Sequence, residues 1–227
     1  IYDGTYKLDE FDKSGNTYTL KANVPHFSGE NNTQPGMPKY RDINGDGVVD
    51  SNDCTVIGNG LPTHTGGFTN NFAYAGFDLS IFFQWSYGND ILNANRLFFE
   101  SSWNTSRDLN QFASYANRWT FDNPTSDIPR AINSASNKVF SSRIIEDGSF
   151  LRLKTLTLGY TLPKAVVTRL HIDNLRVYFA AQNLFTITDY SGYDPEVSIR
   201  NNALTPGLYF SAYPRARQFS FGLHIGF

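Results

Sequence analysis

The strongest constraint on this chain lies in Gly76–Ser86, where Phe77, Leu79, Ile81, Phe83 and Trp85 occupy every second position. Asp78, Ser80, Gln84 and Ser86 alternate with them, and Phe82 is the one apolar exception on the second face. Successive side chains of an extended chain point to opposite faces, so this spacing specifies a strand with one apolar and one polar face. The run matches the roughly 9–11 residues a tilted strand needs to cross a bilayer, whereas ordinary strands peak near about 5–6. Upstream, Phe68, Phe72 and Tyr74 alternate with Thr69, Asn71 and Ala73, and Ala75-Gly76 joins the two runs as a tight hairpin.

Three more segments follow this logic. Leu175, Val177, Phe179 and Ala181 alternate with Arg176, Tyr178, Ala180 and Gln182. At the C-terminus Phe219, Phe221, Leu223, Ile225 and Phe227 alternate with Ser220, Gly222, His224 and Gly226. Between Ser149 and Thr161 the phase switches: Leu151 and Leu153 lie on one face, Leu156, Leu158 and Tyr160 on the other. A bulge or a strand buried on both faces explains the switch. A soluble sandwich produces similar alternation, but strand length and an aromatic content of 15% favour a membrane wall.

The expected fold is therefore all-β, with strands near 67–75, 76–87, 149–161, 174–185 and 215–227. Short connections at 75–76 and 162–173 contrast with long ones at 89–148 and 186–214, the asymmetry of an outer-membrane barrel. Five strands fall short of the eight or more, in even number, of bacterial barrels, and an open sheet edge in lipid leaves backbone groups unsatisfied. The chain reads as a mature or partial product: residues 1–66 as an outer loop region, and 67–227 as the C-terminal part of a larger transmembrane antiparallel barrel. A short hairpin is expected from Thr5–Asp12 and Thr17–Lys21 about Lys13-Ser14-Gly15-Asn16. Asp90–Glu100 and Leu109–Trp119 have near-helical spacing. They read as short helices packing the long loop on the rim, or as a setting that exposes Trp103 or Trp119 as a stacking platform for substrate.

Composition removes several function classes. A formal net charge of −2 offers no footprint for nucleic acid. The single cysteine, Cys54, excludes an intrachain disulfide framework and any CxxC site. No run approaches 18 apolar residues, so no transmembrane helix is expected. His26, His64, His171 and His224 are scattered, and neither a G-x-S-x-G elbow nor a phosphate-cradling glycine loop occurs. An enzyme is not expected.

The densest polar motif runs from Asp42 to Asp53 and matches the calcium-loop template D-x-[DN]-x-[DN]-G with an acid at the twelfth position. Asp42, Asn44 and Asp46 supply side-chain oxygens, Gly47 the sharp turn, and Val48 its carbonyl; Asp50 binds directly or through water, and Asp53 closes the set. Such a Ca2+ would be structural, on a β scaffold rather than between helices. The alternative is a solvated loop of Asx turns without metal.

Several stretches together resemble a known family. Pro35–Asp50, Val56-Ile-Gly58 and Gly66-Gly-Phe68 are similar to SusC/RagA-type TonB-dependent outer-membrane transporters. So are Gly76–Gln84, Gly88–Ile91, Asp147–Lys154, Leu158–Pro163, Ala181–Phe185, Gly192–Glu196, Tyr213–Arg215 and the terminal Phe227, in the family's order. Cys54 departs from the family's usual Arg. The resemblance implies a barrel of 22 strands filled by an N-terminal plug, preceded by a TonB-binding segment and capped by a SusD-like lipoprotein. It also implies import of oligosaccharides or peptides across the bacterial outer membrane; plug and TonB-binding segment have no counterpart in these residues. Ser220, Gly222, Ile225 and Phe227 fit the polar-x-Gly-x-x-apolar-x-apolar ending that outer-membrane barrels share, the signal of a barrel-closing last strand. Two other readings remain: a stand-alone outer-membrane barrel or adhesin, and a secreted calcium-loop binding module resembling half of a dockerin.

Overall fold

The computed structural model describes residues 1–102, 109–196 and 206–227. They form two compact units, each assembled from separate stretches of chain. One comprises Ile1–Asn59, Leu92–Ile145 and Leu208–Ser211; the other comprises Gly60–Ile91, Glu146–Gly207 and Ala212–Phe227.

The second unit holds the five long strands: β1 (His64–Tyr74), β2 (Phe77–Tyr87), β3 (Phe150–Thr161), β4 (Asn174–Thr188) and β5 (Gln218–Gly226). They form one antiparallel sheet in the order β5-β4-β3-β2-β1. Directly opposed residues share a face. The register therefore gathers Phe72, Leu79, Leu158, Phe179 and Phe221 into one row across all five strands. Rows on the same face carry Tyr74, Phe77, Tyr160, Val177 and Leu223, and Asn70, Ile81, Leu156, Ala181 and Phe219. Within such a row, stacked pairs such as Phe68–Phe83 at 4.9 Å tie neighbouring strands together. Phe72, Phe77, Phe219, Phe221 and Leu223 stay exposed on this face.

The opposite face is polar. Arg176 donates to Asp78 through Nε (3.0 Å to Oδ1) and a terminal nitrogen (2.6 Å to Oδ2), spanning β3. Gly159 makes the crossing possible, because a Cβ there would lie 2.4 Å from Asp78 Oδ1. Phe82, the apolar exception on this side, lies over Gly67, where a Cβ would come within 2.7 Å of its ring.

The phase switch in β3 is a bulge. Leu153 and Thr155 face the consecutive residues Phe83 and Phe82, so Lys154 is the extra residue. Along β4 the same step spans Asn183 and Leu184, with Asn183 at φ 52°. Among the described residues the sheet does not close, and β1 and β5 are its edges. No described helix is long and apolar enough to cross a membrane.

The first unit packs around Tyr6, Phe11 and Met37, with Tyr18, Leu20, Val24 and Ile132 against them. The expected hairpin is present but shorter: Phe11–Ser14 pairs with Thr17–Leu20 around Gly15-Asn16. Thr5 belongs instead to Tyr2–Thr5, which pairs with Pro38–Tyr40. The expected helix over Asp90–Glu100 begins as a strand, Asp90–Asn93, and only Ala94–Phe99 is helical. The other, Leu109–Trp119, contributes one 3-10 segment at Ala113–Asn117. Side chains tie the two segments together: Glu100 is buried among Arg96 Nε (3.0 Å), Arg143 (3.1 Å) and Ser114 Oγ (2.6 Å).

The β1–β2 turn contains Ala75 at φ 49° and Gly76 at φ 88°, the pattern of a type I′ hairpin. An L-residue with a Cβ is strained in the left-handed region by about 1–2 kcal/mol, a cost that Asn relieves through local hydrogen bonding. Ala75→Asn is therefore expected to raise the denaturant midpoint of the sheet, whereas Ala75→Val is expected to lower it.

Candidate functional site

The most tightly organised polar cluster in the second unit is ionic, and it joins three motifs distant in sequence. The bulge at Lys154 sets Arg152 on the polar face of β3 with its side chain only 3% exposed. One Arg152 nitrogen bonds Asp194 Oδ1, and another bonds Glu196 Oε2 at 2.9 Å. Lys154 Nζ reaches both Glu196 oxygens at 3.0 Å, and Arg215 Nε reaches Oε2 at 3.0 Å. Asp194 also accepts the backbone N–H groups of Glu196 (2.9 Å) and Arg215 (3.0 Å). Asp147–Lys154, Gly192–Glu196 and Tyr213–Arg215 thus meet at one point, and the chain on either side of residues 197–205 is fastened to the sheet. All three motifs are visible in the sequence, but their spacing does not mark these residues as a site. The available signal was their opposite charge: Arg152 between two leucines with Lys154 next after, Asp194 and Glu196 around a proline.

Burial alone would raise the Asp194 carboxyl; the Arg152 guanidinium and the two N–H groups outweigh it and hold the group below its ordinary value. The stabilisation this confers is in place above the ordinary carboxylate range and is lost as pH falls through the lowered value.

The Asp42–Asp53 loop lies in the first unit. Asp42 accepts the N–H groups of Gly45 (2.7 Å) and Gly47 (2.8 Å), Asn44 Oδ1 that of Asp46 (2.9 Å), and Asp46 Oδ1 that of Val48 (2.8 Å). Asp53 is buried and accepts from Ile43 (2.7 Å), Asn44 (3.3 Å) and Asp50 (2.8 Å). The N–H groups of Asp50 and Ile43 foremost hold its carboxyl below the ordinary range. Asp50 in turn accepts from Asn52 at 2.7 Å. Gly45 (φ 76°) and Gly47 (φ 87°) supply the left-handed turns this winding requires. Among the described residues no three acidic, His or Cys side chains converge as a ready metal site.

Trp119 corrects the expectation of an exposed platform. It is 2% exposed, packs edge-on against Phe121 at 5.1 Å, and has the Arg130 guanidinium over its ring at 5.5 Å. Gly36 lies directly beneath, where a Cβ would fall 2.3 Å from the indole. The ring fills the core between residues 35–36 and the 119–130 segment, leaving no free face for stacking. Trp103 lies outside the described residues. At the C-terminus, Ser220 and Gly222 share the polar face and Ile225 sits on the apolar one, opposite Leu175. Gly222 has a local reason: the Tyr178 ring covers it, 2.3 Å from any Cβ. Phe227 follows the last strand residue and is 90% exposed.

Removing one partner of a buried, hydrogen-bonded pair strands the other charge at about 3–5 kcal/mol. Arg152→Met is expected to lower the unfolding free energy by that order, and the double variant Arg152→Met/Asp194→Leu to recover part of it. The Asp194 contribution to the wild-type urea midpoint is expected to be full above the ordinary carboxylate range and to fall as pH drops from that range through the lowered value.

Comparison with known proteins gives the cluster its context. No family model matches the chain. TonB-dependent receptor P3 of Formosa agariphila is 35% identical over an alignment of 231 positions that covers 100% of this chain and 21% of the relative. TonB-dependent receptor SusC of Bacteroides thetaiotaomicron is 29% identical over 87% of this chain and 18% of its own length. A structure of the RagAB peptide transporter matches 74% of this chain and 17% of its own with TM-score 0.63 at 33% identity. The closed-closed state of the RagAB peptide importer matches 85% of this chain and 21% of its own with TM-score 0.67 at 29% identity. The chain spans about a fifth of the length of the curated relatives it matches. Its antiparallel β architecture is that of a part of RagA. Over most of its length the chain is homologous to SusC/RagA-type TonB-dependent receptors, which are outer-membrane proteins and not enzymes.

Proposed function

We propose that β1–β5 are wall strands of a closed transmembrane barrel of the 22-strand type, with the apolar face toward lipid and the polar face toward the lumen. The whole receptor then imports peptides or oligosaccharides, together with a SusD-like surface lipoprotein and with energy delivered through TonB. The observation that carries this reading is the exposed apolar face, continuous across five strands and set against a face bearing Asp78–Arg176 and Arg152. In water such a surface would drive aggregation; in a bilayer it is the solvated face. On this reading residues 1–66 and the loops 89–148 and 186–214 lie outside the membrane, and Ser220, Gly222, Ile225 and Phe227 belong to the barrel-closing strand.

For the Asp42–Asp53 loop we propose a structural calcium ion. The donor set is all oxygen, which suits a hard cation. Each carboxylate offers about four lone-pair sites, so an oxygen that accepts an N–H group keeps capacity for a cation. Asp42, Asn44, Asp46, Asp50 and Asp53 would hold it, with the Val48 carbonyl.

Arg at the bilayer midplane of a lipid-facing position costs about 2–4 kcal/mol. In the full-length receptor Ile81→Arg is expected to reduce heat-modifiable, membrane-inserted protein, while Ser80→Arg on the other face is tolerated; the reverse pattern would overturn the facing. Deleting the receptor gene is expected to abolish uptake of either a labelled peptide pool or a labelled oligosaccharide pool, and tagged receptor to co-purify a surface lipoprotein. Terbium luminescence displaced by calcium is expected for wild type and lost in Asp42→Ala/Asp46→Ala.

A further inference from the structure

The hairpin of the first unit, Phe11–Ser14 against Thr17–Leu20, is a sheet of two strands only. Its turn has two residues, with Gly15 at φ 60°, so Ser14 and Thr17 form a hydrogen-bonded pair. Bonded and non-bonded pairs alternate along an antiparallel ladder. Asp12 and Thr19 are therefore bonded, and so is the next pair out, where the Lys21 N–H donates to the Glu10 carbonyl at 3.0 Å. Tyr18 and Leu20 fall between, opposite Lys13 and Phe11, so their N–H and C=O groups point away from the hairpin. Among the described residues no strand pairs with that edge.

The edge borders a groove of about 630 Å³, lined by every residue from Thr17 to Ala22 and completed by residues 30–33 and 46–48. Tyr18, Leu20 and Val24 line it while packing against Tyr6, Phe11 and Met37, which gives it an apolar base. Thr17 and Thr19 are exposed. A strand spacing of about 4.8 Å, a sheet spacing of about 10 Å and a rise of about 3.3 Å give roughly 160 Å³ per residue of a packed strand. The groove therefore holds about four residues of one extended chain, and the edge beside it is 4 residues long. An unpaired edge is a template for another strand, and this one has room for a single chain and not for a second sheet.

We infer that this edge takes up an extended peptide from the imported material, added to the hairpin as a third strand. The inference rests on the import reading for the ligand's origin and chooses between its two cargo classes. A peptide presents N–H and C=O groups at the strand's own repeat, whereas an oligosaccharide lacks that ladder. Strand addition draws affinity from main-chain hydrogen bonds and specificity from alternate side chains. Added antiparallel, the two peptide residues opposite Tyr18 and Leu20 exchange up to about four bonds with them and turn their side chains to the same face. The site accordingly favours apolar or β-branched residues at every second peptide position and is indifferent to those between.

The test uses the full-length receptor purified in detergent and titrated calorimetrically with acetyl-Thr-Val-Thr-Val-Thr-amide. Two derivatives accompany it, one N-methylated at both valines and one at two of the threonines. Valine methylation removes the donors aimed at the edge and is expected to weaken binding at least about tenfold, the scale of a lost hydrogen bond, while threonine methylation leaves it within about twofold. Leu20→Pro removes an outward N–H at an edge position, where proline is tolerated, and is expected to weaken the unmodified peptide by a similar factor. Should the unfolding midpoint of Leu20→Pro fall, the methylated peptides decide alone. No binding at millimolar peptide, or equal weakening by both methylations, would overturn the site. Peptide binding lost whenever a surface lipoprotein or a second receptor copy is bound would assign the edge to that partner and overturn the inference likewise. Selective sensitivity to valine methylation, in a receptor whose gene deletion leaves peptide uptake intact, would count against import and leave the site standing.

Discussion

Everything in the second unit follows from the demand that backbone N–H and C=O groups leaving water be paired. A sheet meets that demand only strand by strand, so the register of each pair decides where every side chain goes. Five long strands in strict antiparallel order place the aromatic rows on one side and the charges on the other. β1 and β5 retain unpaired edges among the described residues, and the relative matched over the whole chain is about five times as long.

Period two was legible in the strands because each contrasts a full apolar face with small or polar residues. Boundaries were less legible: β1 starts at His64 and β4 runs to Thr188, beyond the clean alternation, because ladder bonds continue where side chains no longer alternate. The phase switch in β3 was visible but ambiguous. Only its partners decide it, since β2 stays regular while β3 inserts Lys154. The short helices of the first unit were over-read for a related reason. Near-helical spacing of Ile91, Leu92, Leu97 and Phe98 reflects burial against several neighbours, and pairing with the sequence-distant Leu208–Tyr209 claims the first residues for a strand.

The candidate site was the least legible part. Arg152, Asp194, Glu196 and Arg215 are ordinary charged residues in sequence, and nothing in spacing says that the chain folds back to bring Arg152 to Asp194, 42 positions on. The glycines are similar. Gly36, Gly159 and Gly222 are each required by a ring or an ion pair from another segment, a demand set entirely by tertiary approach. The Asp42–Asp53 loop is the converse in its side-chain hydrogen bonds, which run within twelve residues and write its winding locally, although its Val48–Val49 backbone pairs with the distant His26–Phe27.

The paired bulge at Lys154 and Asn183–Leu184 also makes length, at this point, carry as much information as residue type. On one side of it Leu156 and Leu158 lie on the apolar face; on the other Leu151 and Leu153 lie there as well, only because one residue has been inserted in between. The bulge acts as a punctuation mark in the gene: substitutions there are read one at a time, but losing a single codon would turn Arg152 toward the apolar side and every residue beyond it in β3 with it.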